Sequence, residues 1–486
     1  MHIYTSSQIK KADQLAESLG MEGFALMENA GGGLYRSISP LLLKRDVIAV
    51  LAGRGNNGGD GVVLARYLQM NGYQVHLMFP MGEPKTKEAV QHLQYYKSCG
   101  FEVTPFNQAA NYNCIIDGLL GVGVRLPLKR ELKHVIEWIN SQEATVISID
   151  VPTGVDSDTG ETDLQVVQAD YTFSLHGFKP SCFLYPAVSH FGVTKVIDIG
   201  LPHTGRWKVW NRDDVVQTLP KRRANAHKGT FGTGLLIAGS DDMPGSAVLS
   251  AIGALRFGIG KLSVLTTKEA KQIIASIVPE ATFLIRDLAK QELIADIDPF
   301  SCIAIGPGLP QDDVLEQLIH EILTKEIPVI LDAGALRKRE YPYRKNPIIL
   351  TPHPGEFVRM TGIATKQLES KRIELASKYA VEHHVIVVLK GQYTVIAFPD
   401  GSGFINVTGN ESLAKGGSGD TLTGMLLASL SIHQDVKAAV ANAVYIHGLC
   451  ADKWIEDNGS STLVAHEYAN LLPIVMHQIE KEMNNN

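Results

Sequence analysis

The chain has 486 residues, 45% of them hydrophobic and 20% charged, with a formal net charge of −6. That is the make-up of a globular protein with apolar material for more than one core, in two or three domains of ~150 residues or more. It excludes non-specific binding to nucleic acid or to a membrane surface, because the charge is mildly negative and no basic run exceeds Lys221-Arg222-Arg223.

No apolar run approaches the ~18 residues of a membrane span. The five cysteines are widely spaced and form no CxxC, which points away from a disulfide framework or zinc knuckle and towards a reducing compartment. The N-terminus is polar and lacks a signal-like apolar region, so a cytoplasmic protein is expected.

The first thirty residues read as a helix begun through Thr5, Ser6 and Ser7. It leads to Met27-Glu28-Asn29-Ala30-Gly31, which is read as a polar turn although Glu28 and Asn29 could reach a ligand. The run DVIAVLAG, residues 46–53, is a strand. GRGNNGGDG, residues 53–61, follows as a Gly-rich loop, and the helical VVLARYLQM then leads to a second strand, YQVHLMF. Strand, Gly-rich loop, helix, strand is the context in which such a loop holds phosphate-bearing ligands. Gly53, Gly55 and Gly58 satisfy GxGxxG, yet the second strand ends in Phe79-Pro80-Met81 where a dinucleotide-binding dehydrogenase needs an acid. Asn56, Asn57 and Asp60 go beyond that fingerprint, either as ligand contacts or as braces of a tight turn.

Two further apolar strands end in Asp117 and in Asp150 with Thr153. The carboxyl ends of parallel strands converge on one crevice, so these side chains are expected to face the Gly-rich loop. An amide, a carboxylate and a hydroxyl there are hard oxygen donors suited to an alkali or alkaline-earth cation.

Residues 205–227 are charged and interrupted by Pro220, and a domain boundary is placed near residue 215. Beyond it the strand–helix rhythm restarts, with strands ending in Asp241-Asp242, Gly306-Pro307-Gly308, Asp332 and His353. The run VIVVLKGQYTVIAF reads as a hairpin turning at Gly391, with Lys390 on its rim. Last comes Lys415-Gly416-Gly417-Ser418-Gly419-Asp420 ahead of an apolar helical pattern. Glycines that allow close backbone approach, followed by a helix N-terminus, make a phosphate cradle. Asp420 is then either a helix cap or a base that deprotonates a nucleophile attacking the phosphate. Sixteen histidines without HExxH offer no metal signature, GxSxG is absent, and GxxxxGK[ST] is absent too.

These motifs, in this order, resemble the bifunctional NAD(P)H-hydrate repair enzymes, which join an epimerase to an ADP- or ATP-dependent dehydratase. GRGNNGGDG, DGLLGVG and SIDVPTGVDSDTG carry the first half, and TPHPGEF, LKGQYTVIAFPDG and TGNESLAKGGSGDTLTG are prominent in the second. The resemblance implies an α/β protein, with an N-terminal Rossmann-like three-layer domain, residues 1–214, and a C-terminal ribokinase-like α/β domain, residues 215–486.

For the epimerase it implies a hydrated-cofactor site at Asn56, Asn57, Gly58, Gly59 and Asp60, continued by Gly121, Val122, Gly123, Val124, Arg125, Leu126 and Pro127. Asp150 would contact the substrate as acid and base, and Asn57, Asp117 and Thr153 would hold K+. This chain has Thr153 where many relatives have Ser, and Val122 where Thr is usual. For the dehydratase the resemblance implies the hydrate on Ala247, Gly308, His353 and Asp420, with Asp420 as catalytic base. The nucleotide would lie on Lys390, Gly391, Gln392, Tyr393, Thr394 and Gly419, with Mg2+ accompanying its phosphates and Glu356 orienting the metal through water. Expected small molecules are the hydrates NADHX and NADPHX, with ADP as co-substrate giving AMP, and a homo-oligomer is expected. The alternative is a vitamin or sugar kinase carrying an N-terminal ligand-binding domain, which shares the cradle and base.

Overall fold

The computed structural model describes residues 1–285, 297 and 299–485. The chain divides into two compact units, the first formed by Met1–Trp207 with Glu369–Lys371 and the second by Lys208–Leu368 with Arg372–Asn486. The division falls ahead of the boundary expected near 215. The residues between already belong to the second core: Trp210 is 4% exposed and its indole N–H donates to Asn442 Oδ1 at 3.0 Å. Arg212 forms a two-bond ion pair with Glu482, at 2.9 and 2.8 Å.

The first unit contains a six-stranded parallel sheet in the order Gln74–Met78, Val47–Ala52, Cys114–Gly118, Thr145–Ile149, Tyr171–Leu175, Val193–Ile197. The central strands are almost wholly buried and, Asp117 apart, apolar, as a sheet covered on both faces requires. Thr5 begins the first helix, Ser6–Ser18, through a capping box with Gln8, as its sequence predicts.

Two local expectations are corrected. Residues 27–31 are not a turn but lie inside a second helix, Gly23–Ile38. A Cβ on Gly31 would come within 2.2 Å of Val63, so the glycine run serves close helix packing and tertiary contact overrides its low helix propensity. Glu28 accepts from Arg66 and from Tyr67, at 2.6 and 2.7 Å, and braces this interface instead of a ligand. The expected loop at 53–61 is mostly helix as well: Asn56–Met70 is one helix, with Gly55 as its N-cap. A Cβ on Gly58 would lie 2.0 Å from Gly53 O, so only glycine lets the helix start this close to the strand end.

Among the described residues of the second unit, nine strands run in the order Gly403–Asn406, Thr394–Ala397, Ile386–Leu389, Ile348–Leu350, Val329–Leu331, Cys302–Ile305, Thr233–Ile237, Lys261–Thr266, Thr282–Ile285, and Trp207–Trp210 adjoins the first of them. The last seven are parallel, and the first two form antiparallel pairs, including the expected hairpin at 386–397. Helices Pro244–Phe257 and Ser418–Ile432 pack closely because Gly424 meets Ser250 O where a Cβ would lie at 1.8 Å. No described helix is long and apolar enough to cross a membrane.

Candidate functional sites

At the carboxyl edge of the first sheet lies a cavity of about 620 Å3. Asn56, Asn57, Asp60, Gly121, Val122, Gly123 and Asp150 all line it, so strand ends and helix start converge as the sequence predicts. Gly58, Gly59, Val124, Arg125, Leu126 and Pro127 are not among its lining residues. Gly58 and Gly59 are turned into the protein, where a Cβ on Gly59 would lie 2.5 Å from Met27 Sδ. Ile9, Met21, Leu26 and Met27 give the cavity an apolar wall.

Asp150 follows the strand Thr145–Ile149 in a left-handed conformation, φ 69°. Its Oδ1 accepts the Leu175 N–H at 3.0 Å and a close hydrogen bond from Lys179. A Cβ on Gly121 would lie 3.3 Å from Asp150 Oδ2, which places that second oxygen on the Gly121 side of the cavity. Asp60 is 7% exposed, and burial, then the neighbouring Asp150 and Asp13, hold its carboxyl well above the usual range. Asp13, on the first helix, is raised by burial and by Asp150 in the same way.

Asp117 is fully buried beneath this floor. It accepts from Thr153 N–H and Oγ1 at 2.9 and 2.7 Å, and from Ser148 Oγ at 2.9 Å. Burial raises its carboxyl, and these hydrogen bonds partly offset the rise. Asn57 donates through Nδ2 to Ile149 O at 3.2 Å, while its buried Oδ1 has no hydrogen-bond partner. A buried amide oxygen left unsatisfied is the kind of hard donor an alkali cation takes.

In the second unit the helix Ser418–Ile432 begins at Gly417, φ 92°, with no side-chain cap, so Asp420 is not the cap. Asp420 instead takes a hydrogen bond from Ser246. Burial and then Asp332 raise its carboxyl to about 6, against the lowering effects of Ser246 and Lys390. Lys390 Nζ lies 3.0 Å from Asp332 Oδ1 and close to Gly419, where a Cβ would stand 3.3 Å from it. Burial alone would lower the Lys390 pKa, but Asp332, Glu356 and Asp420 raise it above the usual value. Asp332 also accepts from Thr351 Oγ1 and Thr423 Oγ1, each at 2.7 Å.

Lys390, Gly419 and Asp420 are therefore brought together. Gly308 (φ 68°) approaches Ser246, where a Cβ would lie 2.9 Å from Ser246 Cβ, and Ala247 is the next residue, buried in the first turns of its helix. His353 is the N-cap of the helix Pro354–Thr361. Glu356 accepts the His353 N–H at 2.8 Å, which commits one of its oxygens to the capping box. Gly391, Gln392 and Tyr393 form the hairpin turn and Thr394 opens its second strand, its Oγ1 donating to Gly391 O at 3.1 Å.

Sequence reasoning missed Asp13, Lys179 and Arg372 as contributors and named Asp332 only as a strand end. Arg372 is a buried guanidinium lowered to about 10 by burial, and it donates to Leu389 O and Lys390 O at 3.2 and 3.1 Å. Strand-end position could have weighted Asp332 more heavily. Nothing in the local strings around Asp13, Lys179 or Arg372 distinguishes them from surface charges.

Residues 234–473 match the NAD(P)H-hydrate dehydratase family, and residues 23–181 match the family described as YjeF-related protein N-terminus. An ADP-dependent (S)-NAD(P)H-hydrate dehydratase of Bacillus subtilis is 52% identical over 272 residues, covering 56% of this chain and 98% of its own. A crystal structure of the ADP/ATP-dependent NAD(P)H-hydrate dehydratase from Bacillus subtilis, co-crystallised with ATP/Mg2+, is 50% identical with a TM-score of 0.55. It covers 56% of this chain and 98% of that one. A bifunctional NAD(P)H-hydrate repair enzyme of Moorella thermoacetica is 32% identical over 527 residues, 99% of this chain and 98% of that one. With a Rossmann-like first unit, a ribokinase-like second unit and a full-length relative of the same domain order, the chain belongs to the bifunctional NAD(P)H-hydrate repair enzymes.

Proposed function

We propose that the chain repairs hydrated NADH and NADPH at two centres, interconverting the R and S hydrates in the first unit and dehydrating the S hydrate in the second at the expense of ADP. The observation that carries the reading is Asp420: an acid raised to about 6 at a helix N-terminus, beside Lys390 and not used as a cap. Such an acid is poised to take the proton of the hydrate's hydroxyl. The oxygen then bonds to the terminal phosphorus of ADP as AMP leaves; phosphate departs from the ring carbon while the neighbouring ring carbon gives up a proton to the leaving phosphate or to water, and the double bond reforms. A poor leaving group, hydroxide, is replaced by a good one.

Lys390 and the N–H groups at the start of the Ser418–Ile432 helix face the phosphates, while Gly391 to Thr394 lie under the nucleotide, and Ala247, Gly308 and His353 border the hydrate. Magnesium, when bound, neutralises phosphate charge. Asp332 accepts three hydrogen bonds and Glu356 gives one oxygen to the capping box, so magnesium would be held mainly through phosphate oxygens and water.

In the first unit Asp150 is the acid–base group at the hydrated carbon. Asp60, whose carboxyl burial raises well above the usual range, is the complementary donor. Asn57, Asp117 and Thr153 would hold K+, which would supply fixed positive charge to the site. A cytoplasmic homo-oligomer fits the family.

The test is to incubate the full chain with ADP and hydrated NADH and follow recovery of nicotinamide absorbance. Recovery with release of phosphate is expected. No recovery with any nucleotide, alongside phosphorylation of a vitamin or sugar alcohol, would replace this reading by the kinase alternative.

A further inference from the structure

Two adjacent strands of the first sheet end in the same way. Val151 N–H donates to Ile149 O at 2.9 Å, and Gly177 N–H donates to Leu175 O at 2.8 Å. Each bond closes a three-residue turn around a residue of positive φ, Asp150 at 69° and His176 at 65°. Neither is glycine, so each turn is held against backbone strain.

One side chain joins the two turns. The Nζ of Lys179, 1% exposed, lies within hydrogen-bond reach of Asp150 Oδ1, of Leu175 O at 2.8 Å, of Gly177 O at 3.1 Å and of Ser174 Oγ at 3.2 Å, its three hydrogens shared among the four acceptors. With Leu175 N–H also on Oδ1, one oxygen of Asp150 is fully engaged. The other, Oδ2, stands on the Gly121 side of the cavity.

We propose that Lys179 is a positioning residue for epimerisation: it holds Asp150 by one carboxylate oxygen so that the other faces the hydrated ring. The proposal rests on the first cavity being the epimerase centre. The carboxylate torsion of an aspartate is broad and roughly two-fold, so without an anchor the two oxygens exchange places and tilt freely. Leu175 N–H alone supplies one bond; Lys179 adds a second from a different direction and fixes the plane. A misplacement of ~1 Å at a reacting group lowers rate by about 10²-fold. Loss of the anchor therefore falls on the chemical step more than on substrate binding.

The experiment uses full-length Lys179→Met and Lys179→Arg. Interconversion of the R and S hydrates without nucleotide is measured for kcat and KM, together with thermal unfolding and ADP-dependent dehydration of pure S hydrate. Lys179→Met is expected to lose about 10²-fold or more in kcat with KM changed by less than about threefold. Lys179→Arg, which keeps charge and donors, is expected to recover at least about tenfold of that loss. Dehydration of the S hydrate stays at the wild-type rate in both.

The proposal is overturned if folded Lys179→Met retains kcat, if the loss lies in KM, or if both variants lose the cooperative unfolding of the first unit, which makes Lys179 a staple of the fold only. Absence of interconversion in the wild type is a different outcome: it removes the epimerase reading itself.

Discussion

Each centre pairs an aspartate with a lysine, but the pairing is wired differently. In the first unit Lys179 bonds Asp150 directly. In the second, Lys390 bonds Asp332, and Asp420 is left beside them with its carboxyl raised to about 6. A base that must hold one geometry benefits from being gripped. A base that must take a proton from an alcohol near neutral pH benefits from being left ungripped in a desolvated, negatively charged corner. The lysine of the second centre is thereby tied to a neighbour that holds it in place for an anion.

The largest expected effect separates the two acids. Asp420→Asn should lower nucleotide-dependent dehydration by about 10³-fold or more, leaving R/S interconversion intact, and Asp150→Asn should do the reverse. Measuring both activities on each variant breaks the comparison if either substitution abolishes both. Removing Lys390 comes next: Lys390→Met leaves Asp332 buried without its cation, and the second unit should lose about 3 kcal/mol in denaturant unfolding.

The protonation of Asp420 gives a third check. Its folded pKa is raised from the model-compound 3.8 to about 6, so the folded state binds the proton more tightly than the unfolded state. The favourable contribution is present below about 3.8 and is lost as pH rises through about 6. Asp420→Asn should thus stabilise the chain by on the order of 1 kcal/mol at pH 8 and hardly at pH 4, read by thermal unfolding at the two values. Wild-type dehydration should fall as pH drops below about 6, because the base becomes protonated. The smallest effect is local: Thr5→Ala removes the capping box of the first helix and should cost about 1 kcal/mol, with both activities retained.

Much of this architecture was legible because buried parallel strands are short apolar runs that stop in Gly, Asp or Pro. The strands ending near Gly53, Asp117, Asp150 and Asp332 all lie where those runs place them. What was illegible depended on close approach. Gly31 inside a helix and Gly58 at a helix start both look like loop glycines until Val63 and Gly53 are seen where a Cβ would stand. Lys179 and Asp13 were missed because a charged side chain carries no mark of burial; only the fold brings them to the cavity. Asp420 was left open between cap and base, and Gly417 taking the N-cap position excludes the cap.

Asp332 has a further consequence. Its carboxylate is fixed to Thr351, to Lys390 and to Thr423, that is, to two neighbouring strand ends and to the helix that carries Asp420. The hairpin turn at Gly391, Gln392 and Tyr393 begins just outside this anchor. If that turn takes the nucleotide as proposed, substitutions in it are expected to alter nucleotide choice while Asp332 goes on holding Lys390. Nucleotide choice and proton chemistry are then expected to respond to separate substitutions.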